Sequence, residues 1–209
     1  MNIPAFTLDI QNLSKSYDSL PVWSGLSLTL HSGKAYCLMG ASGSGKTTLL
    51  RILLNLEQAD SGSVQIQYAD REHTHDDVSS CRLPLVSVFQ EDRLCEAFSP
   101  LDNVMLAADS ALSRQEIYQE LCRLLPEESI LRPCRTLSGG MKRRVAIVRA
   151  MLAPSMGILM DEPFTGLDED TRQTVIRYIL EKTDGKLLLA ATHQEEDIAA
   201  LKAELIRLP

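Results

Sequence analysis

Nine consecutive residues in the first quarter of the chain combine the side chains and backbone freedom that bind phosphate. They fit the pattern G-x-x-x-x-G-K-[ST] and are Gly40, Ala41, Ser42, Gly43, Ser44, Gly45, Lys46, Thr47 and Thr48. The glycines allow successive backbone N–H groups to turn inward around an anion, and a following helix adds a positive dipole. Lys46 can reach the β- and γ-phosphates of a nucleotide, and the Thr47 hydroxyl can ligate Mg²⁺. The sequence therefore predicts a nucleotide-binding P-loop.

The flanking residues give this loop the context that it requires. An apolar run with strand character precedes it at residues 35–39, and residues 49–54 indicate the start of a buried helix. The alternative is a chance Gly-rich turn, and the order of strand, loop and helix argues against that alternative.

Two adjacent acids, Asp161 and Glu162, follow the apolar run 158–160. Because ligands bind at the carboxyl ends of strands in parallel sheets, Asp161 suits the acid that holds Mg²⁺ beside a P-loop. Glu162 could polarise an attacking water as a general base, which favours hydrolysis over binding alone. By itself an Asp-Glu pair is more often a solvated strand end, but the P-loop upstream favours the functional interpretation.

A second candidate anion site opens a predicted helix at residues 137–144. Ser138 is a suitable N-cap, and Gly139 and Gly140 leave backbone N–H groups exposed. A single P-loop does not need this element, so the simplest physical reason for it is a nucleotide bound to a second subunit. The alternative is an ordinary helix cap.

The elements around these residues indicate an α/β fold. Residues 6–10 and 26–30 alternate between apolar and polar side chains, as half-buried antiparallel strands do. Strands that alternate with helices later in the chain imply a parallel sheet covered on both faces. The predicted strands are 64–68, 85–89, 157–160, 187–191 and 205–208, and the predicted helices are 169–182 and 195–203.

A helical block interrupts this alternation between residues 89 and 152. The pattern is helical from about residue 100 to residue 126, and a second helix spans about 139–152. We interpret the block as an inserted helical subdomain. Residues 69–82 are polar and charged, which predicts a surface excursion.

Composition restricts the class of protein. A chain of 209 residues suits one α/β domain, and its net charge of −7 argues against a broad basic surface for nucleic acid. No apolar run approaches the ~20 residues that span a bilayer, and residues 1–5 do not predict a signal peptide. The five cysteines form no C-x-x-C pair, so reduced thiols are expected rather than disulfides or a zinc site.

Together these motifs resemble the nucleotide-binding subunits of ATP-binding cassette (ABC) transporters, over nearly the whole chain and in the order of that family. Five further matches complete the set: Tyr17 as the adenine-stacking aromatic, Gln90 as the Q-loop glutamine, residues 137–141 as the LSGGQ signature, residues 166–168 as the D-loop, and His193 as the switch histidine. Met141 replaces the usual signature Gln. We expect activity to survive this change, because Ser138 and the glycine N–H groups should supply the phosphate contacts.

The resemblance implies a P-loop NTPase fold with an antiparallel β-subdomain, a parallel RecA-like core and an inserted helical subdomain. It implies one domain over residues 1–209. The core and β-subdomain would take about 1–90 and 153–209, and the helical subdomain with the signature would take about 91–152.

The same resemblance implies ATP and Mg²⁺ as cofactors and assigns roles to the matched residues. The implied catalytic residues are Glu162, His193, Gln90 and Lys46. The implied metal ligands are Thr47, Gln90 and Asp161. The implied nucleotide contacts are Tyr17, residues 40–48, Ser138, Gly139, Gly140 and Asp168.

The family also implies partners and a location. Its members work as head-to-tail dimers on a membrane permease, which predicts a second ABC ATPase subunit, most simply a homodimer, on the cytoplasmic, inner face of the cell membrane. An importer would add a periplasmic solute-binding protein, and no nucleic acid is expected. Leu94, Phe98 and Leu101 would face the permease; the alternative is that they are core residues of the helical subdomain.

The expected function is ATP hydrolysis that powers transport of a small solute. Import is favoured because the LSGGM signature followed by Lys142 and the run 88–94 resemble importer ATPases for nitrate, sulfonate, taurine and thiamine precursors. The alternative is an exporter or a lipid- or lipoprotein-extracting complex. An ABC ATPase that acts on nucleic acid is disfavoured by the single set of motifs, and a non-hydrolysing module is disfavoured by Glu162 and His193.

Overall fold

The computed structural model describes residues 4–69, 76–77 and 84–209. The strands are β1 (Phe6–Tyr17), β2 (Leu20–His31), β3 (Ala35–Met39), β4 (Ser61–Tyr68), β5 (Asp76–Asp77), β6 (Leu85–Val88), β7 (Gly157–Asp161), β8 (Leu187–Ala191) and β9 (Glu204–Arg207). The α-helices are α1 (Lys46–Leu53), α2 (Pro100–Met105), α3 (Arg114–Cys122), α4 (Gly139–Leu152), α5 (Glu169–Lys182) and α6 (Glu195–Ala200).

These elements form two sheets and a helical block. The antiparallel sheet has the strand order β2-β1-β4-β5, and the parallel sheet has the order β6-β7-β8-β3-β9. Helices α2, α3 and α4 lie between β6 and β7 in the chain. This arrangement matches the predicted fold class of an antiparallel β-subdomain, a parallel core and inserted helices.

The parallel sheet holds the most deeply buried strands. All five residues of β7 and all five of β8 are buried. Strand β8 pairs on one side with β7 and on the other with β3, so that Ala191 lies opposite both Asp161 and Leu38. The carboxyl ends of β3, β7 and β8 therefore meet at one edge of the sheet.

The hairpin of β1 and β2 is longer than the sequence pattern predicts. The first strand was expected at residues 6–10, but β1 continues to Tyr17, where Asp18 (φ 48°) and Ser19 (φ 66°) form a two-residue turn. The register shifts along β1 near Asn12, whose φ is 50°. Such bulges break the two-residue alternation, and the pattern therefore ended the predicted strand too early.

The helical pattern predicted over residues 100–126 is two helices, not one. Helices α2 and α3 are separated by residues 106–113. Ser113 Oγ accepts a hydrogen bond from Glu116 N at 3.2 Å, and the Glu116 carboxylate accepts one from Ser113 N at 2.7 Å. This capping box starts a new helix at residue 114. Periodicity missed the break because residues of both helices pack into the same core.

The structure divides the three residues that were expected to face a permease. Leu101 is only 2% exposed and belongs to the core of the helical block, so its assignment to a contact surface was wrong. Phe98 is 45% exposed, and Leu94 is half-buried against the same core. The alternative interpretation as a core residue therefore holds for Leu101.

Three other expectations concern cysteines, membrane spans and the polar segment. Cys37, Cys95, Cys122 and Cys134 are free thiols, and Cys81 lies outside the described residues. Among the described residues, no helix has the length and apolar character needed to cross a bilayer. The surface excursion predicted at 69–82 lies outside the described residues except for Ala69 and residues 76–77.

A close approach of β4 to β1 yields a test of the fold. A Cβ on Gly62, whose φ is +91°, would lie 2.5 Å from Asn12 O, whereas one on Gly33 (φ +77°) would have no described atom within 4 Å. We expect Gly33→Ala to lower the free energy of unfolding by about 1 kcal/mol, because only the backbone conformation is strained. Gly62→Ala should cost about 3 kcal/mol or more, because the β1 backbone must also move. Urea unfolding measures both, and equal losses would contradict the close approach.

Candidate functional site

The glycine-rich loop connects β3 to α1. Gly43 and Gly45 have φ values of 84° and 89°, a left-handed conformation that favours glycine. Gly45 is the N-cap of α1, and no described side chain caps this helix. The first N–H groups of α1 therefore have no side-chain cap, which suits the binding of an anion.

The Lys46 side chain folds back over the loop. Its Nζ donates to the carbonyl oxygens of Gly40 at 2.8 Å and Ala41 at 3.1 Å. The residue is buried, so its charge is held at the loop rather than in solvent.

The loop forms one wall of a cleft of about 530 Å³. The cleft is large enough for a small ligand. Most of the predicted site residues line it: Tyr17, Ser42, Gly43, Gly45, Lys46, Thr47, Thr48, Gln90, Asp161, Glu162 and His193, together with Val22 and Thr165. The cleft therefore brings together residues that lie up to 176 positions apart in the sequence, from Tyr17 to His193.

Two oxygen-bearing side chains meet at the base of the cleft. Thr47 Oγ1 donates a hydrogen bond of 2.7 Å to Asp161 Oδ2, and Asp161 is buried at the end of β7. A hydroxyl and a carboxylate are the hard oxygen donors that Mg²⁺ prefers, and Gln90 reaches the same cleft from the end of β6. These three residues fit a magnesium ion held between the protein and a phosphate chain.

Glu162 is held in an unusual backbone conformation at the cleft. Its φ is 49°, and its N–H donates to Ala191 O at 2.9 Å. The His193 Nε2 atom lies 3.1 Å from Glu162 Oε1, which is buried and accepts no hydrogen bond from the described part of the chain. Burial raises the pKa of Glu162; the charge of His193 opposes this rise and that of Asp161 adds to it. A basic carboxylate oxygen with spare accepting capacity suits a water ligand.

A buried ion pair supports the backbone next to His193. Asp197 accepts hydrogen bonds from Arg172 of α5 and from the Thr192 hydroxyl, and Thr192 Oγ1 in turn accepts from Gln194 N at 3.1 Å. Asp197 is 2% exposed and Arg172 is 7% exposed. The segment that carries His193 is therefore fixed by a charge on each of two helices. The sequence analysis did not identify Arg172 or Asp197. The one signal for them is the presence of an acidic residue at an inward-facing position of α6.

Tyr17 is an aromatic residue that lines the cleft. Its ring is partly exposed, and Lys15 Nζ lies 4.9 Å from the ring centroid. Lys15 Nζ also forms an ion pair with Glu57 Oε1 at a distance of 3.0 Å. The aromatic ring is therefore supported from outside the cleft and can offer a face to a planar base.

The second predicted anion element lies on a different surface. Ser138 caps α4 by accepting from Met141 N at 3.3 Å, and Ser138 and Gly139 are exposed. Asp168 caps α5 by accepting from Thr171 N at 2.9 Å, which lowers the Asp168 pKa. Ser138, Gly139, Gly140 and Asp168 are not among the described residues that line the cleft.

Contacts inside the chain bring the signature and the D-loop close together. A Cβ on Gly140 would lie 3.3 Å from Gly166 O and 3.4 Å from the Leu167 side chain. Met141, at the position where the signature usually has Gln, packs its half-buried side chain against the core of the helical block. The Met141 side chain therefore contributes to packing. Ser138 and the glycines provide the polar surface of the signature.

Known proteins share this arrangement. A family model described as "ABC transporter" matches residues 23–165, more than half of the chain. The chain belongs to the ABC transporter family. Its domain is of the type that binds ATP, and the cleft described above is lined by the glycine-rich loop between β3 and α1.

Several curated relatives of this ABC family member are similar over most of its length. It is 34% identical to the sulfate/thiosulfate import ATP-binding protein of Methylococcus capsulatus, over 91% of this chain and 57% of that protein. It is also 34% identical to the aliphatic sulfonates import ATP-binding protein of Corynebacterium glutamicum, over 98% and 80%. The lipoprotein-releasing system ATP-binding protein of Porphyromonas gingivalis is 34% identical over 90% of each chain.

A solved structure gives the same result for the fold. The structure of a bacterial Atm1-family ABC exporter with ATP bound matches all of this chain with a TM-score of 0.79 and 25% identity. The match covers 37% of the exporter chain. This ABC family member likewise spans little more than half of the sulfate/thiosulfate and spermidine/putrescine relatives, 57% and 55% of their lengths.

The ion pair beside His193 yields a stability prediction. Asp197→Asn removes the buried partner of Arg172, and we expect it to lower the free energy of unfolding by about 3–5 kcal/mol. Glu169→Gln removes the charge of a second partner of Arg172. The Glu169 side chain is largely exposed, and its Oε2 lies 3.2 Å from Arg172 Nη1. The loss of this ion pair should therefore lower the free energy of unfolding by less than about 1 kcal/mol. Chemical denaturation of both variants measures the difference. Similar losses in the two variants would show that the buried pair does not hold this segment.

Proposed function

We propose that this chain is an ATP-hydrolysing subunit that powers a membrane transporter. The observation that carries the proposal is the Glu162 carboxylate, which lies beside His193 in a cleft that also contains the phosphate-binding loop. A nucleotide-binding module without hydrolysis would need the loop but not this half-buried carboxylate, whose pKa is raised.

Hydrolysis in this cleft depends on positioning and on charge stabilisation. Lys46 and the first N–H groups of α1 hold the phosphates, and Tyr17 stacks on the adenine. Glu162 accepts a hydrogen bond from the attacking water and takes its proton, while His193 contacts the γ-phosphate. Mg²⁺, held by Thr47 and Asp161 with Gln90 nearby, would neutralise charge on the phosphate oxygens.

We further propose that the complete site contains two copies of the chain. The exposed N-terminus of α4 has N–H groups suited to phosphate, but it lies outside the cleft of its own subunit. A head-to-tail dimer would place Ser138, Gly139 and Gly140 of one subunit over the nucleotide of the other, with Asp168 at the same interface. ATP then favours the closed dimer because it bridges only that form.

The transporter would include a membrane permease on which this subunit sits at the cytoplasmic, inner face of the cell membrane. The exposed Phe98 ring with the half-buried Leu94 offers an apolar contact at the helical block. Import of a small solute is favoured, because the sulfate/thiosulfate, spermidine/putrescine and aliphatic sulfonates relatives are import proteins by name. A periplasmic solute-binding protein would then deliver the solute.

Lipoprotein release is the second candidate. Two lipoprotein-releasing relatives are each 34% identical, and this chain covers 90% and 89% of their lengths, a larger share than it covers of the sulfate/thiosulfate relative. The membrane protein that co-purifies with the chain distinguishes the candidates. A partner that stimulates ATP hydrolysis only with a solute-binding protein supports import, and one that responds to lipoprotein supports release.

The ATPase test uses the purified chain with Mg²⁺ and ATP. We expect the rate to rise faster than linearly with protein concentration, because two subunits complete each site. Glu162→Gln should lose at least about 10²-fold in kcat, since the general base is gone, yet form an ATP-bound dimer detectable by size-exclusion chromatography. A linear dependence together with an active Glu162→Gln variant would contradict both the shared site and the assigned base.

The raised pKa of Glu162 predicts a pH dependence. The base works when deprotonated, so kcat should rise with pH through a value above the ordinary glutamate range of about 4.3. Lys46 and His193 lower this pKa and Asp161 raises it. Hence His193→Gln should move the acid limb of its residual activity to higher pH. ATP binding by Glu162→Gln, measured over the same range, controls for loss of nucleotide; an unmoved limb would contradict the assignment.

A further inference from the structure

Two arginines of α4 hold the segment that carries Gln90. The guanidinium group of Arg143 donates hydrogen bonds to the carbonyl oxygens of Phe89 and Gln90. Its Nε also lies 3.3 Å from Asp92 Oδ1. Arg149, further along the same helix, donates to Asp92 O at 2.9 Å and to Arg93 O at 2.8 Å. The two arginines therefore contact four backbone carbonyls within residues 89–93.

This segment has little structure of its own. Strand β6 ends at Val88, and residues 89–93 belong to no helix or strand. Arg93 has a φ of 46°, and its guanidinium lies 3.9 Å from the centroid of the Phe89 ring. The path of the backbone at Gln90 is therefore set by side-chain contacts, and Arg143 alone contacts the carbonyl of Gln90 itself among the described residues.

Arg143 suits this task because it is buried and forked. The residue is 6% exposed, so its charge must be satisfied by fixed partners. A planar guanidinium can donate to two neighbouring carbonyls and face a carboxylate at once. A lysine at this position would keep the positive charge, but its single ammonium nitrogen would replace the several donor nitrogens of the planar guanidinium.

The position of Arg143 also connects two surfaces. Helix α4 starts at Gly139, and Arg143 follows four residues later, one helical turn or about 6 Å along the axis. The element Ser138–Gly140, of which Ser138 and Gly139 are exposed, therefore lies within one turn of the arginine that bonds to the Gln90 carbonyl. Helix α4 is continuous from Gly139 through Arg143, so a displacement of its N-terminus would also displace the group that is bonded to the Gln90 carbonyl.

We propose that Arg143 is a positioning residue that sets the place of Gln90 in the cleft according to the position of α4. The inference rests on the proposed function, because it assigns Gln90 a part in hydrolysis. In the dimer, Ser138–Gly140 of one subunit would bind the nucleotide that lies in the cleft of the other subunit. Through Arg143, this contact would order Gln90 in the subunit to which that α4 belongs. Nucleotide bound in one cleft would thus affect the position of Gln90, and with it the metal ligands, in the other cleft.

The test compares two charge-preserving variants of neighbouring residues. Arg143→Lys removes the fork, whereas Lys142→Arg alters a residue whose Nζ pairs with Glu96 at 2.7 Å, outside the 89–93 segment. ATP hydrolysis by the full chain is measured at saturating Mg²⁺, with kcat and KM separated. Active molecules are counted by titration with a fluorescent ATP analogue, so that misfolded protein does not enter kcat.

We expect Arg143→Lys to lower kcat by about tenfold, since a misplaced group near the reacting phosphate costs rate steeply. The KM for ATP should stay within about twofold, because Lys46 and the loop are unchanged. Lys142→Arg should match the parent. In a Gln90→Ala background, which itself lowers kcat, adding Arg143→Lys should lower kcat by less than about twofold further, because both changes act through one group.

Three results would overturn the inference. They are an unchanged kcat per active molecule in Arg143→Lys, losses that multiply fully in the double variant, and a Gln90→Ala variant as active as the parent. A parent chain that does not hydrolyse ATP would instead contradict the proposed function itself, so the two failures are distinguishable.

Discussion

The parallel pairing of four neighbouring strands is the constraint on which the rest of this molecule depends. In the order β6-β7-β8-β3, every strand runs in the same direction, so all four carboxyl ends reach one edge. Gln90 follows β6, Asp161 ends β7, His193 follows β8 and the phosphate-binding loop follows β3. Backbone hydrogen bonds between the strands thus bring these groups to one edge of the sheet, whatever contacts their side chains make.

Buried charges then fix the loops that leave this edge. Strand pairing ends at the edge, and the loops beyond it have no ladder to define their conformation. Arg172 with Asp197 holds the segment before His193, and Arg143 holds the segment that contains Gln90. Loss of a partner would leave a buried charge uncompensated, so each arginine favours the loop position that keeps its contacts. In both cases a helix outside the sheet supplies the arginine, so the cleft depends on the packing of α4 and α5.

The same two helices carry the groups that lie away from the cleft. Ser138 caps α4 and Asp168 caps α5, and the close packing at Gly140 and Gly166 keeps these two caps side by side. One end of this pair of helices therefore carries the exposed caps Ser138 and Asp168, while Arg143 and Arg172 support the loops of the cleft. In the proposed dimer, this dual use would give a physical route, through α4 and α5, by which the nucleotide of one subunit could influence that of the other.

The sequence by itself determined the elements whose signals are local. The glycine-rich loop, the helices 139–152 and 169–182 and the strand 187–191 have the predicted bounds, because caps, glycines and apolar runs act over a few residues. The continuation of β1 past Asn12, the break between α2 and α3 and the burial of Leu101 departed from the pattern, since they depend on packing partners distant in sequence. Only the tertiary structure revealed Arg143, Arg172 and Asp197. An arginine on a helix gives no sign of which carbonyl or carboxylate it will meet, because that partner is chosen by how the helix docks on the sheet.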